Sequence, residues 1–177
     1  MGLVALPEMS KAFTRESDDE TELPMQRQPS PLPPGAKNYL TPAGERRLRE
    51  ELDRLLQVER PQLSASLQDS DAKRHLQMLD QQMQYLQQSL HTAVVVSSPA
   101  APWEQVRFGA TVAVRASDGK QESYRIVGVD EVNLDRSWVS WISPIAKALL
   151  NARLGQRVRF KFPSGETELE IVGISYE

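Results

Sequence analysis

A short polar stretch of this 177-residue chain, LQDSDAKRH at residues 67–75, carries the side chains with the clearest chemical potential. Its two carboxylates, Asp69 and Asp71, lie between two segments with helical periodicity. Aspartate is a preferred N-cap and turn residue, and an acid at a helix N-terminus gains from the helix dipole. The same acids could instead lie at the tip of a helical hairpin that inserts carboxylates into the active site of another enzyme. Residue type alone favours the capping role over a catalytic one.

The composition excludes several kinds of self-contained active site. There is no cysteine, which excludes disulfides and thiolate metal sites. The two histidines, His75 and His91, are sixteen residues apart, so a histidine-rich metal site is not expected. The serines have no recognisable His–Asp partners, and no glycine-rich phosphate loop is present. We therefore predict that the chain is not itself an enzyme and has no cofactor or metal site of its own.

Charge and hydropathy limit the possible partners. The net charge is −3 with 40% hydrophobic residues, so no general basic excess favours direct binding of nucleic acid. No apolar run approaches the ~20 residues that span a bilayer, and the N-terminus lacks the basic region of a signal peptide. We expect a cytoplasmic protein with no membrane partner.

The chain divides into four predicted regions. Residues 1–36 are rich in proline and contain the acidic run ESDDETE, which predicts a disordered tail. Residues 37–93 form a predicted antiparallel helical hairpin with its tip near 68–71. Residues 94–104 are a predicted linker of proline, serine and alanine, and residues 105–177 a small β domain.

The hairpin is predicted from apolar spacing. Thr41 is a good N-cap with Pro42 at the first helical position, and Pro61 predicts a kink near residues 59–62. The second arm follows a strict heptad seam. The first-arm seam residues are Leu48, Leu52, Leu55, Leu56 and Leu63, and those of the second arm are Ala72, Leu76, Leu79, Met83, Leu86 and Leu90. The first-arm arginines alternate with acids, which predicts a solvated face of helical ion pairs. They are Arg46, Arg47, Arg49, Arg54 and Arg60.

Five alternating segments predict the strands of the β domain: TVAVRA, ESYRIVGV, SWVSWI, RVRFKF and ELEIVGI. One short helix, capped by Ser143 with Pro144 at its first position and ended by Gly155, is predicted between the third and fourth strands. The expected fold class is α+β: an antiparallel coiled-coil hairpin, then a small antiparallel sheet with one helix.

From about Lys37 to Tyr176 the sequence resembles the Gre family of bacterial transcription elongation factors, GreB more than GreA. The resemblance is carried by KNYLTPAGERRLREELDRLLQVERP, by RIVGVDE, and by SPIAKALL with the PSGE hairpin. It implies an FKBP-like β domain that docks on the rim of the RNA polymerase secondary channel. The hairpin then passes down that channel, and acids at its tip help to hold a second Mg²⁺ in the polymerase active site. Contact with nucleic acid is then only indirect, within the elongation complex.

Three departures from the family pattern shape the functional hypothesis. The family tip reads GDxSENAEY, whereas this chain has only Asp69 and Asp71 at the corresponding place. Each arm of its hairpin is also about a heptad shorter than in GreB, which is on the order of 10 Å. The second arm has glutamines where GreB-type members carry basic residues. Ile142 occupies a position that is usually acidic, whereas Ser140, Ser143 and Pro144 match the polymerase-binding segment.

The leading hypothesis is a polymerase-binding elongation regulator, acting at the secondary channel, that does not efficiently stimulate transcript cleavage. One alternative is a true cleavage factor in which Asp69 and Asp71 hold Mg²⁺. The other is a hairpin interaction module that no longer binds polymerase. The oligomeric state stays open.

Overall fold

The computed structural model describes residues 32–65, 70–162 and 165–177, apart from the side chain of Phe162. These residues form a helical hairpin followed by a five-stranded sheet with one short helix, so the predicted α+β class is confirmed. The predicted tail lies outside the described residues up to residue 31, and so do residues 68 and 69 of the predicted tip. None of the helices in the described ranges is both long and apolar enough to cross a bilayer.

The first arm is a helix with one widened turn. It comprises α1 (Pro42–Arg54), a π-helical turn at Leu55–Glu59 and α2 (Arg60–Ala65). Thr41 is the N-cap, as predicted, because its side-chain oxygen accepts a hydrogen bond from the Gly44 N–H. Pro61 cannot donate to a carbonyl four residues back, and its ring crowds that carbonyl. The helix responds one turn before the predicted position, by widening at Leu55–Glu59.

The second arm is α3 (Ser70–Thr92), which spans about 35 Å at 1.5 Å per residue. Its predicted seam faces the first arm, with Leu76 and Leu90 half-buried and the other seam residues buried. The centre of the hairpin core consists of Leu55, Leu79, Met83 and Leu86, with Leu48, Leu52 and Leu63 packed against it.

A two-stranded parallel sheet closes the base of the hairpin. Strand β1 (Asn38–Leu40) precedes the first arm, and β2 (Ala93–Val95) continues directly from the second arm. The first two residues of the predicted linker therefore belong to this sheet. The Asn38 side-chain amide also donates to the carbonyl and hydroxyl oxygens of Ser89, both at 3.0 Å.

The β domain is one sheet in the order β5-β4-β3-β7-β6. Its strands are β3 (Thr111–Ala116), β4 (Gln121–Val127), β5 (Trp138–Ser140), β6 (Arg157–Phe162) and β7 (Gly165–Ser175). The helix α4 (Pro144–Leu149) covers one face and buries Ile145, Ala146 and Leu149 in the core. All five predicted strand segments are present.

Two details of the domain differ from the prediction. Strands β4 and β5 are parallel, because the chain reverses twice between them, through a 3₁₀ turn and the bridge between Asn133 and Trp138. The helix ends at Leu149 and not at Gly155. Asn151 takes a left-handed φ of 67°, and its N–H donates to the Val106 carbonyl, so the backbone after α4 is bound to residues 104–106.

Candidate functional site: hairpin, joint and Ser140–Pro144 turn

The acidic tip is only partly within the described residues. Asp69 lies outside them, and Asp71 occupies the exposed first turn of α3, the position that helix-dipole stabilisation predicts. Among residues 32–65, 70–162 and 165–177, no three His, Asp or Glu side chains come together as a metal would require.

The outer face of the second arm is polar and mostly neutral. Its exposed residues include Gln77, Gln81, Gln84 and Gln88, which recur at helical spacing. Asp80 is half-buried and is paired across the hairpin with Arg60 at 2.9 Å. This face carries little positive charge to attract phosphate groups.

The four residues predicted to contact polymerase lie in one tight turn between β5 and α4. The Ser140 hydroxyl oxygen accepts from the Ile142 N–H at 3.3 Å, and the Ser143 N–H donates to the Ser140 carbonyl at 2.9 Å. Ser143 caps α4 through the Ala146 N–H, and Pro144 follows it in an exposed position. Ile142 is half-buried. The structure brings these residues together, at the opposite end of the hairpin from Asp71.

A buried carboxylate, Glu131, joins the hairpin to the β domain. Its side chain is 1% exposed. One oxygen accepts from the Thr41 N–H at 2.8 Å and the Gly128 N–H at 3.1 Å, and the other from the Thr41 hydroxyl at 2.5 Å. Arg47 adds a charged contact at 3.4 Å. The buried charge is thereby fully surrounded by donors from both parts of the molecule.

Two glycines make room for this carboxylate. A Cβ atom at Gly44 would lie 2.0 Å from the Glu131 Oε1 atom, and one at Gly128 would lie 2.3 Å from the Tyr39 carbonyl oxygen. Since real Cβ atoms do not approach other atoms so closely, both positions require glycine for the observed packing.

The neighbouring acid, Asp130, holds the other arm. Its carboxylate accepts hydrogen bonds from the Tyr85 and Ser89 hydroxyls, both on α3. Adjacent residues of one short 3₁₀ turn (Val129–Glu131) therefore bind different arms of the hairpin. We call the contacts of Asp130 and Glu131 the acidic joint.

An arginine–tryptophan stack lies beside the acidic joint. The guanidinium carbons of Arg47 and Arg125 each lie 4.7 Å from the centre of the Trp138 ring, and that of Arg136 lies at 5.5 Å. Such cation–π contacts are worth about 0.5–1 kcal/mol each where exposed. Arg47 thus departs from the predicted solvated face, while Arg49 pairs with Glu45 on its own helix as predicted.

Sequence reasoning did not identify the acidic joint, because the partners of Glu131 lie 84 and 90 residues away in the chain. The motifs TPAG and GVDE both carried the family resemblance, but neither contains information about the other. The sequence does contain one indication that Glu131 is buried and bound: it is an acid that directly follows a buried strand and has apolar neighbours.

Comparisons with known proteins place the chain in a family. A family model for the GreA/GreB transcription elongation factor C-terminal region matches residues 101–176. The chain is 36% identical over 154 residues to transcription elongation factor GreB of Neisseria meningitidis serogroup A, covering 79% of this chain and 94% of that protein. It is 37% identical over 157 residues to GreA of Alkalilimnicola ehrlichii, covering 80% and 99%.

The chain belongs to the GreA/GreB family. Among solved structures it is similar to GreA factor homolog 1 of Thermus thermophilus, with 25% identity, 79% of this chain and 99% of that chain covered, and a TM-score of 0.38. The family model covers the whole β domain of this Gre-family chain, including Asp130, Glu131 and the turn at residues 140–144.

Two tyrosines are expected to make stability fall at alkaline pH. Burial and then the hydrogen bond to Asp130 raise the pKa of Tyr85, and burial and then Glu122 raise the pKa of Tyr124 to about 12. In the unfolded chain both ionise near pH 10. The folded state therefore holds more protons above pH 10, and stability declines from about pH 10 to about pH 12.

Denaturant unfolding across this window, with phenolate absorbance as a second signal, measures the decline. Tyr85→Phe and Tyr124→Phe should each make it shallower than in the parent chain. A parent chain whose stability is constant or rises from about pH 10 to about pH 12 contradicts this prediction.

Proposed function

We propose that this chain binds core RNA polymerase through its β domain, at the rim of the secondary channel, and regulates elongation without efficiently stimulating transcript cleavage. The observation that carries the proposal is the combination of a Gre-family β domain with short helical arms, the second of which has a mostly neutral outer face. The hairpin then occupies the mouth of the channel and competes with longer factors, while any RNA cleavage belongs to the polymerase.

The form of the turn supports docking by the β domain. Pro144 is exposed, and two serine hydroxyls, of Ser140 and Ser143, fix the backbone beside it through local hydrogen bonds. A turn held in this way needs little ordering when it binds, which lowers the entropic cost of docking.

The length and charge of the arms support a role without cleavage. From Pro42 to Ala65 the first arm measures about 36 Å at 1.5 Å per residue. Two-metal cleavage requires ligands at a fixed position, and a misplacement of ~1 Å can cost ~100-fold in rate. If the arms are on the order of 10 Å shorter than the family pattern, as the resemblance implies, we expect that the tip does not place a metal ligand there.

Transcript cleavage on a purified, backtracked elongation complex tests the proposal. We expect RNA cleavage at the intrinsic rate of polymerase, and reduced cleavage when the chain is added together with a GreB-type factor. Efficient stimulated cleavage that disappears in Asp69→Ala or Asp71→Ala would show instead that the chain is a true cleavage factor.

Ile142 gives a second prediction about docking. Restoring an acid with Ile142→Asp should tighten binding to core polymerase, by less than about fivefold, since an exposed ion pair contributes about 0.2–1 kcal/mol. Ile142→Ala is the matched control, because it removes the same side chain without adding charge. The dissociation constant is measured by titration of labelled chain with polymerase.

The binding experiment also tests the interaction-module alternative, which is favoured by Ile142 in place of the usual acid and by the glutamine-rich second arm. Failure of both the parent chain and Ile142→Asp to bind, beside a GreB-type control that does bind, would replace the polymerase proposal by that alternative.

A further inference from the structure

The contacts between the hairpin and the β domain lie at the base of the hairpin, far from its tip. Thr41 and Arg47 belong to the start of the first arm, and Tyr85 and Ser89 to the end of the second. The far end of α3, at Ser70, lies about 28 Å from Ser89 at 1.5 Å per residue. A tilt of about 10° at the base therefore displaces this end of the helix by about 5 Å, close to one turn of helix.

Apolar packing at this base does not by itself set an angle. Tyr39 contacts the rings of Phe108 and Trp141, with centroids 5.7 and 5.1 Å apart. Burial of such surfaces is favourable but non-directional, and it allows packed elements to slide. Hydrogen bonds weaken steeply with misalignment, so a set of them selects one orientation.

The acidic joint supplies that directional set on both arms. Glu131 binds the N-cap residue of α1 through backbone and hydroxyl donors, and Arg47 one and a half turns later. Asp130 binds two hydroxyls one turn apart on α3. Two points on each of two antiparallel helices fix both the tilt and the rotation of the hairpin.

Arg47 connects the acidic joint to the sheet. It contacts Glu131 on one side and stacks on Trp138 of β5, while Arg125 lies against the same ring. Arg125 is itself ion-paired with Glu177 near the end of the chain. Since the Arg47 side chain is 45% exposed, its removal leaves the cores of both parts intact.

We propose that the acidic joint of Asp130 and Glu131, completed by Arg47 on Trp138, fixes the direction in which the hairpin leaves the β domain. These are positioning residues: they act on the tip through the hairpin and touch neither metal nor RNA. In the elongation complex this direction decides whether the docked hairpin points into the channel, and that consequence rests on the proposed function.

Distance measurement between two spin labels tests the direction in the free, full-length chain. The chain has no cysteine, so Lys73→Cys near the tip and Ser117→Cys in the β3–β4 turn give unique sites. We expect one narrow distance distribution in the parent. Arg47→Ala, and separately Tyr85→Phe, should each broaden it.

Arg49→Ala is the matched control. Arg49 lies on the same helix as Arg47 and also binds an acid, but that acid is Glu45 of its own helix. The distance distribution of the Arg49→Ala variant should superpose on that of the parent. A narrow distribution retained in both Arg47→Ala and Tyr85→Phe, or equal broadening in Arg49→Ala, overturns the proposal.

Polymerase assays on the same variants separate this inference from the proposed function. Arg47→Ala should still be retained by core polymerase, because the turn at residues 140–144 is unchanged, but should compete less well with a GreB-type factor than Arg49→Ala does. If the parent is not retained at all, the proposed function fails while the distance experiment still decides the inference.

Discussion

Replacing Gly44 by alanine is expected to lower the free energy of unfolding by about 1–3 kcal/mol, the usual cost of overpacking a tight site. The added Cβ would lie 2.0 Å from the Glu131 Oε1 atom and 2.1 Å from its carboxyl carbon. Either α1 or the Glu131 carboxylate must move, and the hydrogen bonds to Thr41 are disturbed. The intrinsic helix preference of alanine over glycine, about 1 kcal/mol, acts in the opposite direction, so the net loss is smaller than the steric cost by about that amount.

Thermal and denaturant unfolding measure the loss for Gly44→Ala. Gly173→Ala is a suitable control, since a Cβ there meets the Ala113 Cβ at 3.4 Å, an ordinary van der Waals contact. If Gly44→Ala is as stable as the parent or more stable, the prediction is wrong, because the Glu131 carboxylate can then move away from the added Cβ atom at no cost.

The second large effect is expected for Leu55→Ala, which should cost about 2–5 kcal/mol. Leu55 is 1% exposed and lies at the centre of the hairpin core with Leu79, Met83 and Leu86. Removing its side chain leaves a cavity in a two-helix layer that has few other apolar contacts to share the loss. The hairpin should therefore unfold before the β domain, whose core is separate.

Leu56→Ala is the matched control for Leu55→Ala, because the adjacent leucine is 40% exposed. Its effect should stay within about 0.5 kcal/mol, as for most surface substitutions. Circular dichroism follows the helical signal, and tryptophan fluorescence follows the β domain. Equal losses from the two variants would mean that the hairpin core is not centred on Leu55.

Local chemistry made much of the fold predictable. The Thr41–Pro42 and Ser143–Pro144 caps depend on residues within one helical turn, and the heptad spacing of α3 directly reports its buried side. The strands follow from alternation in the same way. None of these features needs knowledge of a distant segment.

The features that escaped prediction depend on distant or competing contacts. Glu131 and Thr41 are 90 residues apart, so neither sequence context indicates that they meet. Arg47 has a neighbouring acid pattern that suits a helical ion pair, yet a tertiary partner binds it instead. Gly155 is a good helix terminator, but backbone bonds from Val106 to Asn151 and Ala152 end α4 earlier.

The widened turn at Leu55–Glu59 has a consequence for how such a hairpin can change in length. Eight residues separate Leu55 from Leu63 and rotate a regular helix by about 800°, which would carry Leu63 about 80° off the seam. The π-helical turn absorbs one extra residue, and Leu63 packs against the hairpin core. An arm can therefore gain or lose a single residue while both sides of the turn keep their apolar face inward, so its length is not restricted to whole heptads.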